Sequence, residues 1–140
     1  MATKKLTTKS VDKKIQTKPV ITQTETTVRY LDKNVKISPR KLRLVANIVK
    51  KMSPSIALNH LQIENSKSSR ILSKAIKTAT ADCLGNHKLD EKSLKFSSIL
   101  VNEGIKYKRM DKSHSSRFSR GLIQKRHSRL TINIKGYKTN

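Results

Sequence analysis

The sequence predicts an α+β domain that runs from one strand through three helices to a two-stranded hairpin. Three amphipathic segments with helical spacing follow one short segment of alternating apolar and polar residues. Two more alternating segments flank residues 112–129, which are basic, rich in Ser and poor in large apolar side chains. The simplest arrangement pairs these two segments as strands and leaves the basic stretch outside the core, against a negatively charged partner.

The predicted core begins near Val28, in a short strand that is interrupted at residues 32–34. Its alternating apolar members are Val28, Tyr30, Val35 and Ile37. Residues 1–27 contain eight Thr and six Lys and show no apolar periodicity. We therefore expect a basic N-terminal extension that is disordered or ordered only by a partner, followed by one domain over residues 28–140.

Ser-Pro pairs mark the starts of the first two predicted helices, because Ser is a preferred N-cap residue and Pro is favoured in the first helical turn. Ser38 and Pro39 precede a helix over residues 40–52, whose apolar side chains recur at positions i, i+3, i+7 and i+10. They are Leu42, Val45, Val49 and Met52. Ser53 and Pro54 begin a second, shorter helix with Ile56, Ala57, Leu58 and Leu61.

A cationic side adjoins the apolar face of the first helix. Its members repeat the same spacing and are Arg40, Arg43, Asn47 and Lys50. On a single helix, an ordinary solvated face is the simpler explanation. However, Arg40 and Lys41 occupy the first turn, where the helix dipole disfavours cations. A phosphate bound at the helix start would favour cations there, so we predict an anion site at this position.

The third helix is predicted over residues 67–84. Its apolar stripe consists of Leu72, Ala75, Ile76, Ala79 and Cys83. Gly85 stands where a left-handed residue commonly ends a helix. Cys83 lies on the stripe, which favours a packing role, and a single cysteine excludes a disulfide within the chain.

The hairpin strands are predicted from alternation on either side of the basic stretch. The outgoing strand is read from Leu94, Phe96, Ser98, Leu100, Ile105 and Tyr107, and the returning strand from Leu130, Ile132 and Ile134. Residues 105–129 carry nine Lys or Arg against one acid, Asp111. Folded back on themselves, they reach at most about 40 Å beyond the sheet. Because an isolated ribbon is marginally stable in water, we expect a partner to order this hairpin, predicted over residues 105–130.

The charge of the whole chain agrees with that of the hairpin. Its 32 Lys plus Arg and 9 Asp plus Glu give a formal charge of +23, which destabilises a free domain unless a partner neutralises it. Phosphate backbones do so with release of condensed counter-ions. No apolar run or aromatic-rich basic helix indicates a membrane partner. DNA-binding ribbons are usually short and dimeric, so a long solitary ribbon favours folded RNA.

No pattern for catalysis, metal binding or cofactor binding emerges from the sequence. The acids are scattered, the four His lack Cys or acidic companions at metal-ligand spacing, and the four Gly form no phosphate-binding loop. We therefore predict that the chain is not an enzyme and needs no metal or cofactor. His114 and His127 lie in the basic stretch, where stacking on bases or contact with phosphates is the expected role.

Four segments resemble the L-twenty-two family of large-subunit ribosomal proteins. They are VKISPRKLRLVANIVKKMSPSIAL (35–58), SKAIKTATADCLGNHKLD (73–90), LVNEGIKYKR (100–109) and QKRHSRLTINI (124–134). The order of the segments is that of the family, and the resemblance spans about residues 27–136. It implies three helices packed on a three-stranded antiparallel sheet, with a long hairpin that extends into ribosomal RNA (rRNA).

The resemblance also implies a function. The family assembles and stabilises the large-subunit rRNA, and its hairpin tip lines the peptide exit tunnel opposite a loop of ribosomal protein L-four, beside the nascent peptide. The expected location is the ribosome in the bacterial cytoplasm, and an organellar ribosome stays open. A non-ribosomal RNA-binding protein or RNA chaperone is the alternative, which sedimentation with the large subunit at high salt distinguishes.

Residues and resemblance together predict the RNA-binding side chains. They are Ser38, Arg40, Lys41, Arg43, Lys50, Lys106, Lys108, Arg109, Lys112, His114, Arg117, Arg120, Lys125, Arg126, His127 and Arg129. The resemblance further carries over Pro39, Ser128 and Thr131 as RNA-facing. The tip, MDKSHSSRFSRGLIQ (110–124), departs from the family's Pro-Arg-Ala and Gly-Arg-Ala pattern. Its tunnel-lining candidates are Met110, His114, Arg117 and Phe118, with Arg117 favoured.

Overall fold

The computed structural model describes residues 25–113 and 121–138 of the 140-residue chain. In that part of the chain, three strands and three α-helices follow the predicted order. The strands are β1 (Glu25–Val35), β2 (Lys95–Met110) and β3 (Leu122–Tyr137), and the helices are α1 (Pro39–Val49), α2 (Pro54–Ile63) and α3 (Lys67–Gly85). A short 3-10 helix, Glu91–Ser93, precedes β2.

The strands form one antiparallel sheet in the order β1-β3-β2. The central strand, β3, pairs with β1 only as far as Ser128, opposite Val35. Its pairing with β2 continues to Leu122, opposite Met110, and this continuation is the protruding hairpin. The predicted α+β class is confirmed, with three helices, a three-stranded antiparallel sheet and a long hairpin.

β1 is longer and less interrupted than the sequence indicated. It begins at Glu25, three residues before Val28, and it continues through residues 32–34. Asp32 pairs with Leu130 and Val35 with Ser128, so β1 has one residue more than its partner in this interval. The predicted interruption is therefore a bulge within a continuous strand.

Both Ser-Pro pairs begin helices as predicted. Ser38 and Ser53 are N-cap residues in extended conformation with Pro in the following turn, although neither side chain makes a capping hydrogen bond. α1 ends at Val49 rather than at Met52, because the chain turns at residues 50–52 to reach the second Ser-Pro pair. Ser66 caps α3 through its Oγ, which accepts a hydrogen bond from the backbone N–H of Ser69 at 3.1 Å.

The predicted left-handed glycine at the end of α3 is wrong. Gly85 is the last helical residue, and Asn86 follows in right-handed conformation with φ −84°. Asn86 prolongs the helical geometry because its backbone N–H donates to the carbonyl of Asp82 at 3.0 Å. The left-handed residue is Lys88, with φ 50°, just before the chain turns back towards β2.

The alternation predicted for the outgoing strand is wrong beyond Phe96. Phe96 pairs with Ile134 and Ser98 with Asn133, so one extra residue of β2 forms a bulge between them. The bulge reverses the phase, which places Ile99 and Val101 in the core. Leu100 is consequently 48% exposed on the opposite face of the sheet.

The core lies between the helices and one face of the sheet. α1 packs on β2, α3 packs on the sheet, and α2 packs against α3. The predicted helical stripes are confirmed, apart from the partly buried Met52 and Leu58 and the exposed Ile56, and so are the apolar side chains of the returning strand. The largest fully buried side chains include Leu42, Val49, Leu72, Ile76, Cys83, Leu130, Ile132 and Ile134. Burial raises the pKa of the Cys83 thiol to about 11.

Two glycines provide a matched test of this fold. A Cβ on Gly104, at the second bulge of β2, would lie 3.1 Å from the backbone carbonyl carbon and oxygen of His127. A Cβ on Gly85 would meet nothing within 4 Å. We expect Gly104→Ala to lower the free energy of unfolding by about 1–3 kcal/mol through overpacking.

Gly85→Ala is the control for this substitution. It should raise the free energy of unfolding by about 0.5–1 kcal/mol, because Ala restricts the unfolded chain and favours helix. Urea unfolding of both variants, followed by far-UV circular dichroism, measures the difference. Equal effects of the two substitutions would contradict the register of β2 and β3 at the base of the hairpin.

Candidate nucleic-acid interface

A cleft lies where the hairpin leaves the body, between the starts of α1 and α3 and the strand β3. It holds about 700 Å³ of open space. Its lining residues are Lys36, Ile37, Ser38, Lys41, Ser66, Lys67, Ser68, Lys125, Arg126 and His127. Five of them are Lys or Arg and none is acidic, so we term this site the basic cleft.

Two helix starts add to the positive potential of the basic cleft. Ser38 is the N-cap residue of α1 and Ser66 that of α3, and neither helix has an acid in its first turn. The first backbone N–H groups of a helix lack partners within the helix and carry a partial positive charge. Helix starts and basic side chains therefore act together, and the cleft can hold a phosphate group.

The hairpin carries basic side chains on both of its faces. Lys106 pairs with Arg126 on one face, while Lys125 pairs with Tyr107 on the other. Directly opposed like charges destabilise a strand pair by roughly 0.2–1 kcal/mol. A single neighbouring acid, Glu103, lies 2.5 Å from the Lys106 Nζ, and this contact lowers the pKa of Glu103. The excess of positive charge favours a polyanion that surrounds the hairpin.

His127 joins the hairpin base to the end of β1. Its Nδ1 lies 2.6 Å from the Asn34 Oδ1. Because this amide oxygen only accepts, Nδ1 donates the hydrogen and Nε2 is left for another partner. The ring of Tyr107 meets the imidazole edge to face, with centroids 5.1 Å apart. His127 is thus oriented on both sides before any ligand arrives.

The described part of the hairpin ends in a small polar turn. The backbone N–H of Asp111 donates to the carbonyl of Gly121 at 2.8 Å. The Asp111 carboxylate accepts hydrogen bonds from the backbone and the hydroxyl of Ser113, and these bonds lower its pKa. Met110, in the last strand pair, is 50% exposed.

Comparisons with known proteins identify the family of this chain. Residues 30–135 match the model of the family described as ribosomal protein L22p/L17e. The chain belongs to this family. The resemblance found in the four segments is confirmed by this match.

Curated relatives support membership in the L22p/L17e family. Large ribosomal subunit protein uL22 of Thermosipho africanus is 36% identical over 107 residues, which cover 76% of this chain and 71% of that protein. The protein of the same name from Mycoplasmopsis pulmonis is 36% identical over 107 residues, covering 76% and 96%. That of Fusobacterium nucleatum is 42% identical over 76 residues, covering 54% and 68%.

Family membership decides two predictions made from the sequence. The L22p/L17e family consists of ribosomal proteins without enzymatic activity, so the prediction that the chain is not an enzyme is confirmed. It also favours a ribosomal protein over a free RNA chaperone.

In residues 25–113 and 121–138, no three His, Cys, Asp or Glu side chains group as metal ligands would. None of the helices described there is long and apolar enough to cross a membrane.

The structure of this L22p/L17e member brings together part of the predicted RNA-binding set. Ser38, Lys41, Lys125, Arg126 and His127 meet in the basic cleft. Four further members lie on the described hairpin, Lys106, Lys108, Arg109 and Lys112. Arg129 lies on β3 within the body, opposite Asn102. Arg40 and Lys50 are exposed on α1 and at its end, outside the cleft lining.

Arg43 has a contact that its sequence pattern did not indicate. Its Nε donates to the carbonyl of Val101 at 2.9 Å and thereby ties α1 to β2. Four predicted site residues lie outside the described residues: His114, Arg117, Phe118 and Arg120. The first three of them are tunnel-lining candidates. Met110 is the fourth candidate and is described.

Three carried-over residues are buried and do not face RNA. Pro39 is buried in the first turn of α1. Ser128 is 0% exposed, because it points into the core on the same face as Leu130. Thr131 is 4% exposed, because it is covered between Leu31 and Leu100 on the other face of the sheet. The family motif contains all three residues, but their burial assigns them to packing in this chain. The prediction that they contact RNA is wrong.

Sequence reasoning missed two basic members of the cleft, Lys36 and Lys67. A signal for Lys67 was present, because it occupies the first turn of α3 in the same way that Arg40 and Lys41 occupy the first turn of α1. Lys36 has no such signal. It reaches the cleft only because β1 ends beside the start of α1.

A charge-matched pair of variants tests the basic cleft. We expect Lys41→Gln with Lys125→Gln to flatten the dependence of log association constant on log salt, for large-subunit rRNA, by about 1.5, since each phosphate contact contributes roughly 0.7–0.9. Lys51→Gln with Lys92→Gln removes the same charge from exposed sites outside the cleft and should leave the slope nearly unchanged. Equal slopes for the two variants would exclude a specific phosphate site in the cleft.

Proposed function

We propose that this chain is a structural constituent of the large ribosomal subunit, which binds large-subunit rRNA and helps it to assemble. The observation that carries the proposal is the hairpin, which extends past the body with like charges opposed across its strands. The relatives are named as proteins of the large ribosomal subunit. The chain accordingly works in the cytoplasm as part of the ribosome.

The hairpin is proposed to enter folded rRNA rather than to lie on its surface. Lys106, Lys108 and Arg126 lie on one face by strand alternation, and Arg109 and Lys125 on the other. A ligand on one side would leave half of these cations in water. RNA that surrounds the hairpin neutralises both faces, and it releases counter-ions for each contact.

The tip of the hairpin is proposed to line the peptide exit tunnel. Residues 122–127 extend about 20 Å beyond the paired end of β1. Such reach allows the tip to touch a loop of ribosomal protein L-four and the nascent peptide while the body stays outside. Met110, the described tunnel-lining candidate, belongs to the last strand pair of the hairpin and is half exposed.

The N-terminal extension is proposed to bind rRNA on another side of the body. Glu25 pairs with Tyr137 at the end of the sheet, and the hairpin leaves from the opposite end. The chain before β1 therefore joins the body far from the hairpin. In this proposal, residues 28–140 are one domain and the six Lys of residues 1–27 serve as further phosphate ligands.

Sedimentation of a cell lysate tests the proposal. In sucrose gradients at moderate and high salt, we expect the chain to remain with the large subunit through salt concentrations that remove loosely bound RNA chaperones. The physical reason is enclosure, because a hairpin surrounded by RNA cannot dissociate without rearrangement of that RNA. Release at the same salt as a known loosely bound factor would contradict the proposal.

Deletion of residues 110–122 tests the division between body and hairpin tip. The deletion leaves the buried apolar row of β3 intact, which consists of Leu130, Ile132 and Ile134. We expect an unchanged far-UV circular dichroism spectrum of the body and continued incorporation into large subunits. The tunnel wall should then show an altered density near its constriction. Loss of the folded body on deletion would contradict the assignment of these residues to an extension.

A further inference from the structure

A second set of cations lies on α3, outside the predicted RNA-binding residues. Lys67, Arg70, Lys74 and Lys77 are all exposed and follow one another at intervals of three and four residues. At about 100° per residue, they fall within one narrow sector of the helix. The buried residues Leu72, Ile76, Ala79 and Cys83 occupy the opposite sector. We term these four cations the α3 stripe.

The charges of the α3 stripe oppose the stability of the helix that carries them. Neighbours along the stripe are like-charged pairs at i,i+3 or i,i+4 spacing, which destabilise a helix. Lys67 and Arg70 also lie in the first turn of the helix, where the helix dipole disfavours cations. An ordinary solvated helix face mixes both signs of charge.

Acidic residues do not neutralise the α3 stripe. Asp82 is the sole acid within α3, and its carboxylate accepts a hydrogen bond from Asn86 at the far end of the helix. In the part of the chain that the structure describes, the ion pairs join Lys106 to Glu103 and Lys135 to Glu25, and neither includes the stripe. The positive charge is therefore available to an external anion.

The α3 stripe continues the basic cleft along the body. Lys67 belongs to both, because it lines the cleft at the start of α3. From there the helix runs towards the other end of the sheet, where Leu89 bridges to Lys138 soon after α3 ends. The stripe thus begins in the cleft, whose lining also contains Lys125 and Arg126 of the hairpin, and continues along α3.

We propose that the α3 stripe binds the phosphodiester backbone of an RNA strand that passes through the basic cleft. Successive cations advance by about 4.5–6 Å along the helix and span about 15 Å in total, which matches a ligand with regularly repeated charge. The inference rests on the proposed function, which supplies the rRNA. It adds a contact surface on α3. Without an anionic ligand, the helix dipole and the repulsion between like charges would make these cations unfavourable.

Charge-matched triple variants test the stripe separately from the cleft. The stripe variant is Arg70→Gln, Lys74→Gln and Lys77→Gln, and the control variant is Lys33→Gln, Lys51→Gln and Lys92→Gln, all at exposed sites. We expect the stripe variant to flatten the salt dependence of binding to large-subunit rRNA by about 2 in log–log slope. The control variant should keep a slope close to that of the unsubstituted protein.

A hairpin variant, Lys106→Gln with Arg126→Gln, distinguishes failure of the stripe proposal from failure of the proposed function. A flattened slope for the hairpin variant together with an unchanged slope for the stripe variant overturns the stripe alone. Unchanged slopes for both variants overturn the proposed function as well. A stripe variant whose slope flattens no more than that of its control counts as unchanged. This outcome overturns the stripe as an RNA site, whether α3 faces water or a neighbouring acidic protein.

Crosslinking in the assembled particle gives a second readout. Lys74→Cys introduces an exposed thiol, whereas Cys83 is buried with its pKa raised to about 11 and reacts poorly. With a short photoactivated crosslinker on the new thiol, we expect crosslinks to large-subunit rRNA. Crosslinks to a ribosomal protein alone would overturn the stripe as an RNA site. Lys92→Cys provides the matched control on another surface.

Discussion

The double pairing of β3 is the constraint on which the rest of the structure depends. This strand is held by β1 and β2 over the body and by β2 alone beyond Ser128. Leu130, Ile132 and Ile134 anchor it, each at most 1% exposed, and burial of one such side chain contributes about 1.5–3 kcal/mol. A like-charged pair in the hairpin costs roughly 0.2–1 kcal/mol. Burial of these side chains therefore contributes more free energy than the repulsion costs. The body can thus hold a hairpin that is unfavourable by itself.

Charge is arranged in this chain for a partner rather than for the isolated fold. Neither α1 nor α3 has an acid in its first turn, although acids there would stabilise both helices. The basic cleft has no acid in its lining, and the hairpin has Glu103 beside Lys106. Each feature slightly lowers the stability of the free chain in water, and contact with phosphate would offset that loss. Several such features on one connected surface indicate selection for an anionic partner over stability of the free chain.

The sequence predicted those parts of the fold that depend on local pattern. Ser-Pro pairs and apolar periodicity identified the helices, and Ile132 with its neighbours identified the closing strand, because capping and amphipathicity are local properties. The bulge after Phe96 was not predictable, since an extra residue leaves no periodic signal before its partner strand is known. Lys36 was missed because the short connection from β1 to α1 belongs to no periodic pattern. Ser128 was misassigned because a shared motif does not distinguish packing from contact with RNA.

The two bulges of β2 connect the core to the interface. The first one, after Phe96, turns Ile99 and Val101 into the core and so fixes which face of the sheet the helices cover. The second one, at Gly104, has two residues of β2 opposite His127. The strand bends there, and His127 is free to contact Asn34 of β1 at the mouth of the basic cleft. Regular strands would keep the hairpin in the plane of the sheet. The irregularities thus place the base of the basic hairpin beside the cleft, where His127 belongs to both.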